Sequence, residues 1–398
     1  RRPMLRACLV VLHRWFGLAI AVFLTVAGLT GAVISWDHEL DAWLNPQFFE
    51  AHAPGPHLPA LELAARVEQA DPRIRVRYLP LAAPAGEALT IFVEPRLDPA
   101  TRKPFEPGYN QVVVDPADGR ILARREWGKV SLTRENLLPF LYKLHYSLHL
   151  PDGFGLELGV WFMGLVAIVW VIDTLVAVWI AFPNWRTWRQ SFTFRWRAGG
   201  HRLVFDLHRS GALWVYALVL MLAVTSVAMN LRDPVVRPIV AAFSSLSPSP
   251  FASRAPLPPE QQTAPRIAPA QAIELARAQA QARGIDAPPG GLFLSSEIGV
   301  WGVGFFAPGN DHGDGGLGNP WIYLDAQTGA PVGADIPGTG SAGDVFLQSM
   351  FPLHSGRILG TTGRVVVSAL GLVVAMLCIT GVLIWARKRR ARMTRPRD

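Results

Sequence analysis

Apolar residues along the chain gather in four windows, near Leu9–Ile34, Leu158–Phe182, Leu203–Met229 and Thr361–Ala386. Each meets the roughly 20 residues that about 30 Å of hydrocarbon demands, so four membrane-spanning helices are predicted. The stretches between them are patterned differently. Leu58–Ala70 and Ala268–Arg283 show a helical period beside prolines, and Arg73–Leu81, Leu89–Glu94 and Tyr109–Val114 alternate as strands do. The expected architecture is an α-helical membrane protein with two α+β domains in water. Its segments are helix 1 (1–36), a soluble domain ending in a membrane-proximal helix (37–157), helix 2 (158–182), a loop (183–202), helix 3 (203–229), a second soluble domain (230–360), helix 4 (361–386) and a tail (387–398).

The pattern repeats. Leu12-His13-Arg14 precedes Thr30 by seventeen residues from the histidine, and Leu207-His208-Arg209 precedes Thr225 by the same distance. Both soluble stretches also carry a turn of one kind, Asp115 to Gly119 and Asp325 to Gly329, in which Asp and Gly reverse the chain. The chain reads as an internal duplication of a helix–soluble–helix unit.

Charge gives this arrangement a direction. Arg1, Arg2 and Arg6, then Arg186, Arg189, Arg195, Arg197 and Arg202, then Arg387, Lys388, Arg389, Arg390, Arg392, Arg395 and Arg397 flank the windows. Short basic segments stay cytoplasmic, so both termini are expected in the cytoplasm and both long stretches in the periplasm of a bacterial inner membrane. The net charge of +8 sits beside apolar windows, which points to the lipid bilayer and away from nucleic acid. Only 17% of residues are charged, against about 25% in soluble domains. Trp36, Trp161, Trp179, Trp185, Trp188 and Trp385 fall near the window ends, where interfacial rings sit well. Cys8 and Cys378 lie in or beside windows, so the soluble stretches hold no disulfide. The first window exceeds a signal h-region and lacks a suitable cleavage site, so it is expected to be retained.

Histidine supplies the candidate chemistry. His13 and His208 lie just inside the cytoplasmic ends of helices 1 and 3, while His145 and His149 precede helix 2 and His354 precedes helix 4. One histidine from each of two facing helices can clamp a haem between them, so two layers of histidine suggest two haems. His145 and His149 are one helical turn apart and either can serve, with His145 favoured by the Leu-His-Tyr-Ser run. Each histidine taken singly reads first as a satisfied interfacial residue, and it is the duplicated placement that favours the haem reading. Arg14 and Arg209 are candidates for haem propionates or lipid phosphate. Asp173, within helix 2, is a candidate proton relay or an acid bonded to a neighbouring hydroxyl. Asp311, His312 and Asp314 match no standard metal site and read as a flexible loop, and His38, His52, His57 and His201 have no partner pattern.

The runs Leu12-His13-Arg14-Trp15-Phe16-Gly17, Leu144 to His149, Phe205 to Gly211 and Pro352 to Arg357, with the two helix-plus-sheet stretches, resemble the PepSY-associated transmembrane family of iron-regulated membrane proteins. The resemblance is to its ferric-siderophore reductase branch in particular, typified by the ferrioxamine reductase FoxB. It implies two periplasmic PepSY-like domains and an oxidoreductase with two haem b, held by His13 and His208 and by His145 or His149 with His354. A ferric siderophore in the periplasm would be the substrate and ferrous iron the product. The 183–202 loop is too short for a nicotinamide or flavin domain, so the electron donor is expected to be a separate cytoplasmic-side protein or a quinol. The rival expectation is a haem-free membrane protein whose PepSY-like domains bind a protein partner.

Overall fold

The computed structural model describes residues 2–394. Arg1, Arg395, Arg397 and Asp398 lie outside the described residues, as do the side chains of Arg2 and Trp185. The first half of the chain runs α1 (Arg2–Ile34), α2 (Asp37–Leu44), α3 (Ala60–Ala70), β1 (Ile74–Pro80), β2 (Leu89–Pro95), β3 (Gln111–Val114), β4 (Ile121–Arg125), α4 (Leu137–Ser147) and α5 (Leu158–Ala181). The second runs α6 (Gly200–Trp214), α7 (Tyr216–Leu231), α8 (Arg237–Ala241), α9 (Pro250–Ser253), α10 (Pro269–Gln281), β5 (Pro289–Ser295), β6 (Val300–Phe305), β7 (Trp321–Asp325), β8 (Pro331–Asp335), α11 (Ala342–Ser355) and α12 (Gly360–Met393). These elements form two compact units, a helical one (Arg1–Trp36, Leu141–Arg237, Leu353–Asp398) and a sheet unit (Asp37–Phe140, Pro238–Pro352).

In the helical unit, four helices among the described residues are long and apolar enough to cross a membrane: Met4–Ile34, Leu158–Ala181, Tyr216–Ala241 and Arg357–Met393. The third window departs from the expected single helix over 203–229. α6 stops at Trp214 and α7 begins at Tyr216, with Val215 between them at φ −109°, ψ 14°. The cause is the polar content of α6. Asp206 and Ser210 are fully buried, and both find partners in the preceding connection rather than in hydrocarbon. Arg195 donates from Nε and Nη2 to the Asp206 carboxylate at 2.8 and 2.7 Å, and the Ser210 hydroxyl donates to the Thr193 carbonyl at 2.8 Å. Trp214 Nε1 donates to the Phe192 carbonyl at 2.9 Å, fixing the end of α6. α7 continues through a π-helical turn, Arg232–Val236, at Pro234, which has no amide hydrogen to give a regular ladder.

The expected interfacial ring Trp36 has a specific partner. Its Nε1 donates to Ser368 Oγ at 2.9 Å, and the buried Arg364 guanidinium lies 4.4 Å from its ring centre. Arg364 also donates twice to the Ser35 carbonyl, placing a cation just past the C-terminus of α1, where the helix dipole favours it. Arg6 likewise donates to the Ile180 carbonyl at the end of α5, at 2.6 Å.

Both soluble stretches contribute to the sheet unit, in keeping with the α+β pattern expected of each. All eight strands form one antiparallel sheet in the order β4-β3-β2-β1-β5-β6-β7-β8. The halves join through β1 and β5, with Tyr78 opposite Phe293 and Leu79 opposite Leu292. Each half is covered by its own helix. Leu63 and Val67, one turn apart on α3, pack on Ile74, Ile91 and Val112. Ala272, Ala276 and Ala280 form a small-residue stripe on α10 against Leu292, Val303 and Leu324. The two sequence-predicted turns close alike: Gly119 and Gly329, at φ +76° and +74°, donate to the Asp115 and Asp325 carbonyls at 2.9 Å. The positive φ at each position is what calls for glycine, since a Cβ there would meet only the movable tips of Arg66 and Leu275.

Candidate functional site

The helical unit brings the four main candidate histidines together in two pairs. His13 of α1 and His208 of α6 have ring centres 6.0 Å apart with planes inclined at 47°. His145 of α4 and His354 of α11 stand 6.1 Å apart at 58°. Each pair thus places two imidazoles close enough that a single metal centre could be held between them.

Hydrogen bonds on the far side of each ring decide which nitrogen is free. His145 Nδ1 donates to the Ala27 carbonyl at 2.9 Å and meets Thr30 Oγ1 at 3.1 Å. His208 Nδ1 donates to the Leu377 carbonyl at 2.9 Å and meets Thr380 Oγ1 at 3.2 Å. His354 Nδ1 meets Thr225 Oγ1 at 3.1 Å. Each of these threonines gives its own proton to a carbonyl one turn back, of Val26, Met376 or Met221, so its oxygen accepts from the ring. His13 Nδ1 meets Asp173 Oδ1 at 2.8 Å. His145, His208 and His354 therefore carry hydrogen on Nδ1 and a lone pair on Nε2, the form in which histidine binds a metal, and His13 likewise has its Nδ1 engaged.

The seventeen-residue spacing now has a physical meaning. Thr30 and Thr225 orient the histidines of other segments, and His13 and Thr30 lie about 26 Å apart along α1 at 1.5 Å per residue. One continuous helix thus serves two layers. Glycine makes room beside two of the rings, since a Cβ on Gly31 would stand 2.9 Å from His145 Cε1 and one on Gly381 would stand 3.1 Å from His208 Cε1.

Arg14 and Arg209 follow the first pair in sequence, and the Nε of each is buried without a hydrogen-bond partner among the described residues. Other edges of Arg209 reach the Gln190 carbonyl at 3.0 Å and Asp206 at 3.9 Å. A buried unpaired donor costs about 1–3 kcal/mol, more when charged, so these two nitrogens mark places for an acceptor from outside the chain. A cationic donor of this kind suits a carboxylate or phosphate acceptor.

The remaining candidates separate. α4 ends at Ser147, and Leu148 and His149 take left-handed φ of 53° and 54°, so His149 does not continue the helical face of His145. That overturns the expectation that both point the same way, because the chain must turn sharply before α5. Asp173 faces a histidine ring rather than a hydroxyl. Its signal in the sequence was an acid standing inside an apolar window. His312 bonds to Asp311 at 2.9 Å in an exposed loop, and no group of three or more metal-ligating side chains gathers among the described residues. His38 packs edge-on against Phe49 at 5.1 Å.

The model of the family described as PepSY-associated TM region matches residues 10–388. No curated protein matches the chain.

Proposed function

We propose, for a chain that belongs to the PepSY-associated TM family, a di-haem inner-membrane reductase that passes electrons to a ferric siderophore in the periplasm. The observation that carries this reading is the pair of histidine pairs, 6.0 and 6.1 Å between ring centres, each ring locked by its Nδ1 with Nε2 left to bind. His13 and His208 would hold one haem b and His145 and His354 the other. Bound haem would supply reversible one-electron chemistry that these side chains lack. The chain's own contribution is orientation by Thr30, Thr225, Thr380 and Asp173, and charge from Arg14 and Arg209 for propionates.

In this reading the basic segments face the cytoplasm, both termini with them, and the sheet unit is periplasmic. The two halves are copies of one unit, as their order of elements and their twin turns suggest. The donor is a separate cytoplasmic-side protein or a membrane quinol. Reduction releases iron because hard oxygen donors hold iron(III) far more tightly than iron(II), so one electron frees the metal with no bond of the siderophore broken.

Protein purified from haem-replete cells should show a Soret band and two extractable haem b per chain, and when chemically pre-reduced in vesicles should release ferrous iron from a ferric hydroxamate as its haems reoxidise. A colourless preparation would reject the reading in favour of a membrane protein whose sheet unit binds a protein partner.

A further inference from the structure

The two histidine pairs are alike in spacing but not in charge. Three of the four Nδ1 groups face neutral acceptors, the carbonyls of Ala27 and Leu377 and the hydroxyls of Thr30, Thr380 and Thr225. Only His13, among the four, faces a carboxylate, that of Asp173 at 2.8 Å. In helix 4 the position matching Thr174 is Thr380, and a threonine there suffices to orient a ring. At His13 the neighbouring acid does this instead, with a side chain only 10% exposed. A buried acid in a spanning helix is costly, so it does something that threonine does not.

We infer that Asp173 makes the His13/His208 pair the lower-potential, electron-donating site of the two, an inference that rests on the haem reading above. A carboxylate accepting from Nδ1–H draws that proton toward itself and makes Nε2 a stronger donor to a metal. Negative charge on that carboxyl, held where solvent screens poorly, would favour the oxidised metal, which carries one more positive charge than the reduced one. Both effects lower the reduction potential at this pair, and nothing equivalent faces His145 or His354 in the bonds described above. One electron moving from the His13/His208 site to the His145/His354 site oxidises the first and reduces the second, needs no proton, and runs downhill. Asp173 is in this sense a positioning residue that biases the direction of transfer, acting through His13.

The test is a spectroelectrochemical titration of the full-length haem-loaded protein. Wild type should titrate in two resolved steps. Asp173→Asn should keep two haems and raise the lower midpoint potential while leaving the upper one in place, and Asp173→Glu should return it toward wild type. Asp173→Ser, a neutral acceptor like the three threonines, should read the same upward shift if Asn loses the haem. Independently of any change at Asp173, His354→Ala should leave one haem titrating at the lower of the two wild-type potentials. Unmoved midpoints in Asp173→Asn with both haems retained, or a surviving haem at the upper potential in His354→Ala, would overturn the inference. Absence of haem from wild type would reject the haem reading itself.

Discussion

The sheet unit and the helical unit differ in what their most conspicuous buried polar groups are bonded to. In the sheet unit, Asp41 and Arg125 form an ion pair at 2.7 Å, each under a tenth exposed, and their other edges are taken by Asn45 and by the Glu135 carbonyl. Asp115 and Asp325 are similarly consumed by backbone amides of their own turns and by neighbouring segments. One atom there, Asn45 Oδ1, is left over. In the helical unit, four histidines use one nitrogen each, and two arginines keep a buried Nε unpaired. Polar groups that satisfy one another hold a fold, whereas groups held rigidly and half satisfied await something else.

That contrast breaks first at the ligands. Replacing His13 or His354 with Ala should lower haem content from two to one per chain while leaving hydrogen-exchange protection of the sheet unit unchanged. Loss of sheet protection together with haem would mean that the histidines are structural. Asp41→Ala should do the reverse. It strands Arg125 in a buried site, which costs about 3–5 kcal/mol, seen as lost protection in β3 and β4 with both haems retained.

A smaller effect is expected at Gly31. Ala there pushes its Cβ toward His145, so the haem of the His145/His354 pair should be partly lost or released faster, and Val should do worse than Ala. Haem-release kinetics toward an apoglobin acceptor would read this. Equal release from all three proteins would show that the ring does not need its present position.

The smallest effect is a pH dependence confined to the sheet unit. Burial raises the Asp325 carboxyl, but the Arg254 guanidinium and the amides of Gln327 and Thr328 outweigh it and hold the group at about 2. A carboxyl depressed on folding contributes stability that is complete above its unfolded value of about 3.9 and is lost as pH falls toward 2. Amide exchange at the β7–β8 turn should therefore accelerate across that range, and Asp325→Asn should flatten the profile at a cost of about 1 kcal/mol near neutrality.

The two units also differ in how far they could be read without coordinates. Three windows became helices close to their expected bounds because a long apolar run admits one solution in lipid, a helix that satisfies its own backbone. The third broke at Val215 because Asp206 and Ser210 found partners in residues 193–195, a long-range choice that hydropathy does not encode. Periodicity placed α3 and α10 and the turns at Asp115 and Asp325, which are local matters of side-chain alternation and glycine geometry. It did not disclose that β1 would pair with β5, since an edge strand's partner depends on what approaches it.

By itself, the sequence determined that the chain carries lipid-length helices, that histidines stand near the ends of those helices, and that Thr30 and Thr225 recur at one interval from His13 and His208. Only the tertiary structure decided which histidines meet, that His145 rather than His149 faces His354, and that Asp173 rather than Thr174 holds His13. The reason is range. Helix formation and turn geometry are settled within a few residues, whereas the pairing of two rings depends on side chains 195 or 209 positions apart being carried to within 6.0 and 6.1 Å by the packing of whole helices.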